Sequence, residues 1–318
     1  MAPGNSWQPT ASIEIIKKRA MLLQQIRNFM RKRGIVEVDT PILSHYGCSD
    51  PYIQSMTTVN SPEKDTQLYL HTSPEYCMKR LLAAGSGPIY QLAHVFRDEE
   101  SGKCHNIEFT MLEWYRTGFG YHQLMDELDE LLSEIGLMKP DKMTYAQSFL
   151  QTVQIDPHTV ETKQLQIHAG RYGWETDSED HHALLDFIFS EVVIKKFDNN
   201  KPLIIYDYPE CMAALATLKP ETPRVSERFE LFIDGMEIAN GFNELINADE
   251  QFTRFESDLI TRRNKKLPEP PIDNNFIAAL KSGLPESAGI AVGIDRLLMV
   301  LSGKNDINKV CSFTLINN

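Results

Sequence analysis

FRDEESGKCHNIEFTMLEWY, residues 96–115, sets an arginine, five carboxylates, a histidine and an asparagine within two apolar runs joined by a polar loop. The runs QLAHVF (91–96) and EFTMLEWY (108–115) alternate or stay apolar as strands do, and residues 99–106, with Gly102, read as the loop of a hairpin. Arg97 stands at a strand end, where a planar guanidinium can fork onto phosphate oxygens. Phe109 opens the returning strand and offers a flat face to a purine. Phe109, Met111, Glu113 and Tyr115 share one face at period two, so a carboxylate and a phenol continue an apolar row. That is costly unless they meet a charged partner. A charged hairpin loop is ordinarily a solvated turn, but this pattern is more detailed than such a turn needs.

With 318 residues, 42% of them apolar, the chain has material for one large or two moderate domains with a substantial core. No apolar run is long enough to span a bilayer, and MAPGNSWQPTAS at the start has neither a basic segment nor a signal-like apolar stretch. A cytoplasmic protein is expected. Cys48, Cys77, Cys104, Cys211 and Cys311 are scattered and form no CxxC pair, which favours reduced thiols over a disulfide framework or a zinc site. The net charge of −12, from 32 basic against 44 acidic residues, argues against a broad nucleic-acid surface.

Upstream of the hairpin, Ile16, Leu23, Ile26 and Phe29/Met30 recur at helical spacing, with Ser12 as N-cap and Gly34 as the stop. GIVEVDTPIL (34–43) follows as a strand closed by Pro41, and TSPEYCMKRLLAAG (72–85) opens a helix with Ser73 as cap and Pro74 at its first position. Downstream, residues 118–200 read as amphipathic helices, with DELDE (126–130) as a solvated helix face and not a metal site. Asp234-Gly235 is a two-residue hairpin turn that sets Phe232 against Glu237. Glu230 and Glu237 then lie diagonally on one face, within reach of one divalent cation, although two such acids can equally face solvent. In NGFNE (240–244) a register break at the glycine would turn Asn240 and Glu244 inward. SAGIAVGIDRLLMVLSG (287–303) reads as a strand with glycines at 289 and 293, where a ligand can lie on the backbone, then a helix from about Asp295. Arg296 would meet an anion at that helix start.

Together these segments resemble class II aminoacyl-tRNA synthetases: GIVEVDTPIL the first motif, FRDEE…HNIEFTMLEWY the second and GIAVGIDR the third. HNIEFTMLEWY and EIANGFNEL resemble the lysyl branch in particular, and the similarity runs from about Ile13 to the end. The resemblance implies an α+β fold, with a mainly antiparallel sheet flanked by helices. It also implies a single catalytic domain over 1–318, a helical insertion over 118–200, and a homodimer formed through the first motif. Only about a dozen residues precede the first helix, so no anticodon-binding barrel is expected. The chain is thereby similar to the freestanding lysyl-branch paralogues that modify elongation factor P, in WQPTASI (7–13), TSPEYCMKRLLAAG and SAGIAVG.

That resemblance implies ATP-dependent activation of (R)-β-lysine, or less well lysine, as an aminoacyl adenylate, and transfer to a lysine of elongation factor P, without tRNA. Catalysis would rest on Arg97 at the α-phosphate, Glu99, and Arg296 at the γ-phosphate. Phe109 would stack on adenine, with Asp98, Glu99 and Asn106 nearby. Ile238 and Gly293 would give backbone contacts to ATP, and Glu230 and Glu237 would hold Mg2+. Glu244, Glu113 and Tyr115 would surround the distal ammonium of the amino acid, and Glu75 and Asn240 its other end. Ser73 and Ala291 replace the alanine and glycine usual in lysyl synthetases, and the Ala291 methyl would favour a β-amino acid by shape. The usual RNE reads Arg97-Asp98-Glu99 here, and HNPEF reads HNIEF with Ile107. Two other readings stand beside this one: a catalytically inactive synthetase-like binder and a truncated tRNA-charging synthetase. Retention of Arg97, Glu99, Glu237 and Arg296 speaks against the first, and the destination of the activated amino acid, protein or RNA, separates the second.

Overall fold

The hairpin of residues 96–115 sits inside an eight-stranded sheet, and the rest of the chain is arranged around its two faces. The computed structural model describes residues 7–58, 67–98, 101–176, 180–197, 201–222 and 224–314. The Ser12 hydroxyl accepts the Ile15 N–H at 3.3 Å and opens α1 (Ile13–Lys32), and Gly34, at φ +69°, lets the chain turn away. The first-motif segment then yields only two-residue strands, β1 (Val36–Glu37) and β2 (Leu43–Ser44), followed by β3 (Thr57–Thr58) and β4 (Leu68–Leu70). Helix α2 (Glu75–Ala83) begins one residue later than the sequence suggests, with Pro74 flanking it. Ser73 Oγ still accepts the Glu75 N–H, at 3.0 Å.

The hairpin strands are β5 (Ile89–Phe96) and β6 (Glu108–Thr117). After them come α3 (Tyr121–Glu134), β7 (Asp141–Thr144), α4 (Tyr145–Thr152), α5 (Thr162–Gly170), α6 (His181–Ile188) and β8 (Leu203–Pro209). The second hairpin, β9 (Val225–Ile233) and β10 (Met236–Asn243), turns at Asp234 and Gly235, both at positive φ as a tight turn requires. The chain closes with α7 (Ala248–Asn264), α8 (Asn274–Gly283), β11 (Ser287–Gly293) and α9 (Ile294–Ser302).

The large sheet runs β1-β5-β6-β11-β10-β9-β8-β7, with only the β1/β5 and β7/β8 pairs parallel, so this is the α+β, mainly antiparallel architecture. Register places Leu92, Leu112, Val292, Ala239, Leu231 and Ile204 side by side across one face. That face forms the main core with Ile26, Phe29 and Met30 of α1, Leu124 and Leu128 of α3, and Leu297 and Leu298 of α9. Each fully buried aliphatic contributes about 1.5–3 kcal/mol of transfer free energy, so the apolar face fixes which side of the sheet is left for chemistry.

The 118–200 stretch divides in the fold. Helix α3 belongs to the main core and β7 extends the sheet beside β8, whereas α4 to α6 pack with Tyr208 and Phe232 in a second core around Tyr145, Phe149 and Phe189. DELDE is not a uniformly solvated face either. Glu127 and Asp129 are buried: Glu127 accepts the Trp114 indole N–H at 3.1 Å and lies 3.4 Å from Arg116, and Asp129 meets Lys142 at 3.0 Å. The two acids flank Leu128 on opposite edges of the buried stripe of α3, where basic partners from other elements compensate them.

Candidate active site

The opposite face of the sheet carries the polar residues. Register aligns Gln91, Glu113, Ala291, Asn240 and Glu230 in one row across β5, β6, β11, β10 and β9, with Tyr115, Gly289, Phe242 and Arg228 in the row beside it. On the other side lie Ala93, Met111 and Gly293, then Val95 and Phe109. Over these rows opens a cavity of about 1000 Å³, walled also by α2, α7 and the 44–55 segment. One departure from regular pairing makes the rows possible. Glu237 pairs with Phe232 and Asn240 with Glu230, so the bulge falls at Ile238 and not at Gly241, where the sequence suggested it. The extra residue keeps Glu237 and Asn240 on one face at an odd spacing. Gly241 instead permits close packing, because a Cβ there would stand 2.6 Å from the Phe229 ring.

Three carboxylates meet at one end of the cavity. Glu75 comes from the first turn of α2, Glu113 from the middle of β6 and Glu244 from just beyond β10. The Tyr115 hydroxyl donates to Glu113 at 2.6 Å. Among the described residues no well-formed hydrogen bond reaches the buried Glu113 Oε2 or Glu244 Oε1, although the Ser73 hydroxyl favours the ionised form of Glu113. Burial, with the charge of Glu75 added, pushes Glu113 up to about 8, and burial pushes Glu244 to about 8 despite the nearby Lys79 ammonium. Ser73, Asn240 and Ala291 border the same end.

At the other end, the Arg97 guanidinium lies 5.3 Å from the centroid of the Phe109 ring, and the Arg97 N–H donates to Ile107 O at 2.9 Å, closing the hairpin. Asn106 donates to Glu108 O at 2.7 Å. Arg296, on the first turn of α9, donates to Glu237 O at 2.9 Å and Cys104 O at 3.2 Å, tying β10 to the hairpin loop. Beside it Asp295 accepts from the Thr110 N–H at 2.7 Å and from Arg19 of α1 at 2.6 Å. A Cβ on Gly293 would make only ordinary contacts, with Ile238 O at 3.8 Å and with the Arg296 side chain at 3.9 Å, so no clash requires glycine there. Gly289 differs: the groups that come close there are the protein's own Tyr115 and Glu244.

Ser73, Glu75, Arg97, Asn106, Phe109, Glu113, Tyr115, Glu237, Ile238, Asn240, Glu244, Ala291, Gly293 and Arg296 thus border a single cavity. Glu230 and Asp98 do not. Glu230 is held beneath the cavity wall by Arg228 and by the Tyr208 hydroxyl at 2.8 Å, and burial, with Glu237 adding to it, pushes it up to about 7. Asp98 is exposed, and its backbone N–H donates to Gln54 O at 2.9 Å. Glu99 lies outside the described residues. Sequence reasoning missed Lys79 and Arg228. Lys79 falls four residues after Glu75 on α2, and Arg228 two before Glu230 on β9, so period alone could have flagged both. Arg228 also donates to Asn240 Oδ1 at 3.2 Å, fixing its amide at the cavity wall.

A bulged antiparallel sheet, with arginines from the second and third motifs converging on one cavity, defines a class II synthetase catalytic core. Residues 7–317 match the family of class II tRNA synthetases (D, K and N), and the chain belongs to it. Within that family it is similar to proteins named elongation factor P–(R)-β-lysine ligase. The one from Pasteurella multocida (strain Pm70) is 46% identical, over 98% of each chain. Those from Haemophilus influenzae (strain PittGG) and Vibrio cholerae serotype O1 are 45% and 46% identical, covering 98% and 97% of this chain and 98% of each relative.

Proposed function

We propose that this chain activates (R)-β-lysine with ATP and transfers it to a lysine side chain of elongation factor P. The observation that carries the reading is the pair of buried carboxylate oxygens of Glu113 and Glu244 that no hydrogen bond reaches among the described residues, in a cavity that Arg97 and Arg296 also border. Buried carboxylate oxygens that no donor reaches call for a cationic ligand, and two arginines facing the same space call for phosphate. The relatives' name supplies the particular amino acid and acceptor.

In the first step the carboxylate of the amino acid attacks the α-phosphorus of ATP. A C–O–P bond forms, the bond to pyrophosphate breaks, and Arg97 offsets the charge that builds at phosphorus. Phe109 presents its ring to adenine, Asn106 and the backbone at Ile238 and Gly293 border the nucleotide, and Arg296 holds the terminal phosphate. Asp98 contributes its backbone tie to Gln54, and Glu99 is assigned to the nucleotide by its place in the second motif. Glu113, Tyr115 and Glu244 fix the distal ammonium while Glu75 and Asn240 fix the nearer amine. In the second step the acceptor amine attacks the adenylate carbonyl, an amide forms and AMP leaves with the bonding pair.

Magnesium fits the residues present. Glu237 borders the cavity and would hold the cation together with the phosphates, while Glu230, held beneath the wall by Arg228 and Tyr208, adds negative charge behind it. When bound it supplies charge neutralisation to the phosphates. We assign the homodimer to the side of α1, β1 and β2, where Ile13, Met21, Val36 and Leu43 are exposed. No tRNA substrate is included. Among the described residues no helix is long and apolar enough to cross a membrane, and we assign the reaction to the cytoplasm.

The test is ATP–pyrophosphate exchange with (R)-β-lysine, followed by tracing the labelled amino acid. Exchange and label on elongation factor P are expected. No exchange at saturating substrate, or label on tRNA, overturns the reading.

A further inference from the structure

Lys79, on α2, lies behind the carboxylates at the amino-acid end of the cavity, with a side chain wholly removed from solvent. Its Nζ lies 2.5 Å from Glu75 Oε1 and 2.5 Å from Glu244 Oε2, and 5.4 Å from the centroid of the Phe242 ring. A buried ammonium is stable only when paired, and here its two partners come from different elements, α2 and the end of β10. The charged and titratable groups that meet at this point are Glu75 and Lys79 of α2, Glu113 and Tyr115 of β6, and Glu244. With all three acids ionised, three negative charges against one positive leave two.

We propose that Lys79 is a specificity-determining residue: a resident ammonium that clamps Glu75 to Glu244 and takes up one carboxylate charge, leaving a pocket matched to an amino acid with two ammonium groups. The proposal rests on the functional reading above and deepens it. Lys79 occupies Glu244 Oε2 and leaves Oε1 for substrate, so it orients the acid as well as balancing it. A substrate with one ammonium strands a carboxylate in a dry site, and loss of Lys79 strands another. Each stranded acid keeps its proton to higher pH and binds cations less well.

The experiment is β-lysine-dependent exchange by the wild type, Lys79→Met and Lys79→Arg, with KM for β-lysine and for ATP measured from about pH 6 to about pH 9.5. For Lys79→Met the KM for β-lysine at neutral pH should rise about tenfold or more, and the pH at which it reaches its floor should move up by about one unit. The ATP KM should stay within about twofold, because Arg97 and Phe109 lie at the other end. Lys79→Arg keeps the charge, so its pH profile should match the wild type even where its KM is poorer. A Met variant with an unmoved profile overturns the proposal. Where that variant does not fold, a displaced profile in Lys79→Arg does so. Wild-type enzyme that exchanges with no diamino acid at any pH would instead sink the functional reading itself.

Discussion

Glu244 reaches its place because residue 289 is glycine: a Cβ on Gly289 would stand 2.3 Å from Glu244 Oε1 and 2.4 Å from Tyr115 Cε1. Both contacts fall well inside van der Waals separation, and Gly289 lies in the middle of β11 with strands on either side, so the backbone has little room to yield.

Gly289→Ala is therefore expected to displace the Glu244 and Tyr115 side chains at a cost of about 1–3 kcal/mol, and to raise the KM for β-lysine about tenfold or more. ATP binding, measured by calorimetry, should persist. A KM unchanged from wild type would show that the carboxylate is not held where substrate needs it.

The pH dependence follows from Glu113 and Glu244, both raised to about 8 chiefly by burial. An ammonium ligand needs them ionised, so the KM for β-lysine should fall as pH rises from about 6 and level off above about 8. The ligand-free fold responds with the opposite sign. These acids keep protons that the unfolded chain sheds above about pH 4.3, so their contribution to stability is complete below that pH and is lost as pH rises through about 8. The rise in Tm produced by β-lysine should accordingly grow over this interval, and a rise that shrinks would contradict the assignment.

Glu237 and Glu230 should separate on substitution. Glu237 borders the cavity, so Glu237→Gln is expected to raise the Mg2+ concentration needed for half-maximal exchange while leaving the denaturation midpoint near wild type. Glu230 is paired with the half-buried Arg228, and Glu230→Gln should cost about 1–3 kcal/mol in chemical denaturation by removing that guanidinium's carboxylate partner.

Ala291 stands between Glu113 and Asn240 in the row of polar residues. Removing its methyl in Ala291→Gly should shift the ratio of kcat/KM values toward lysine over β-lysine by about tenfold. Side-by-side assays with both amino acids would read this, and an unmoved ratio would remove Ala291 from the selectivity of the pocket.

Much of this was legible in the chain itself, where local rules suffice. The Ser12 cap, the Asp234-Gly235 turn and the shared face of Phe109, Met111, Glu113 and Tyr115 are set by spacings of a few residues, and each appears in the fold as read. The motif residues also drew Arg97 and Arg296 into one reading although 198 positions lie between them in the 318-residue sequence.

What the sequence by itself determined was thus the elements that carry the three motifs, the family, and the motif residues that border the cavity. Only the tertiary structure decided the bulge at Ile238, the row from Gln91 to Glu230, and the clamp that joins Glu75, Lys79 and Glu244. The physical reason is that register between strands distant in sequence, and the pairing of a buried charge, depend on how apolar faces dock, which the local alternation of residues does not encode.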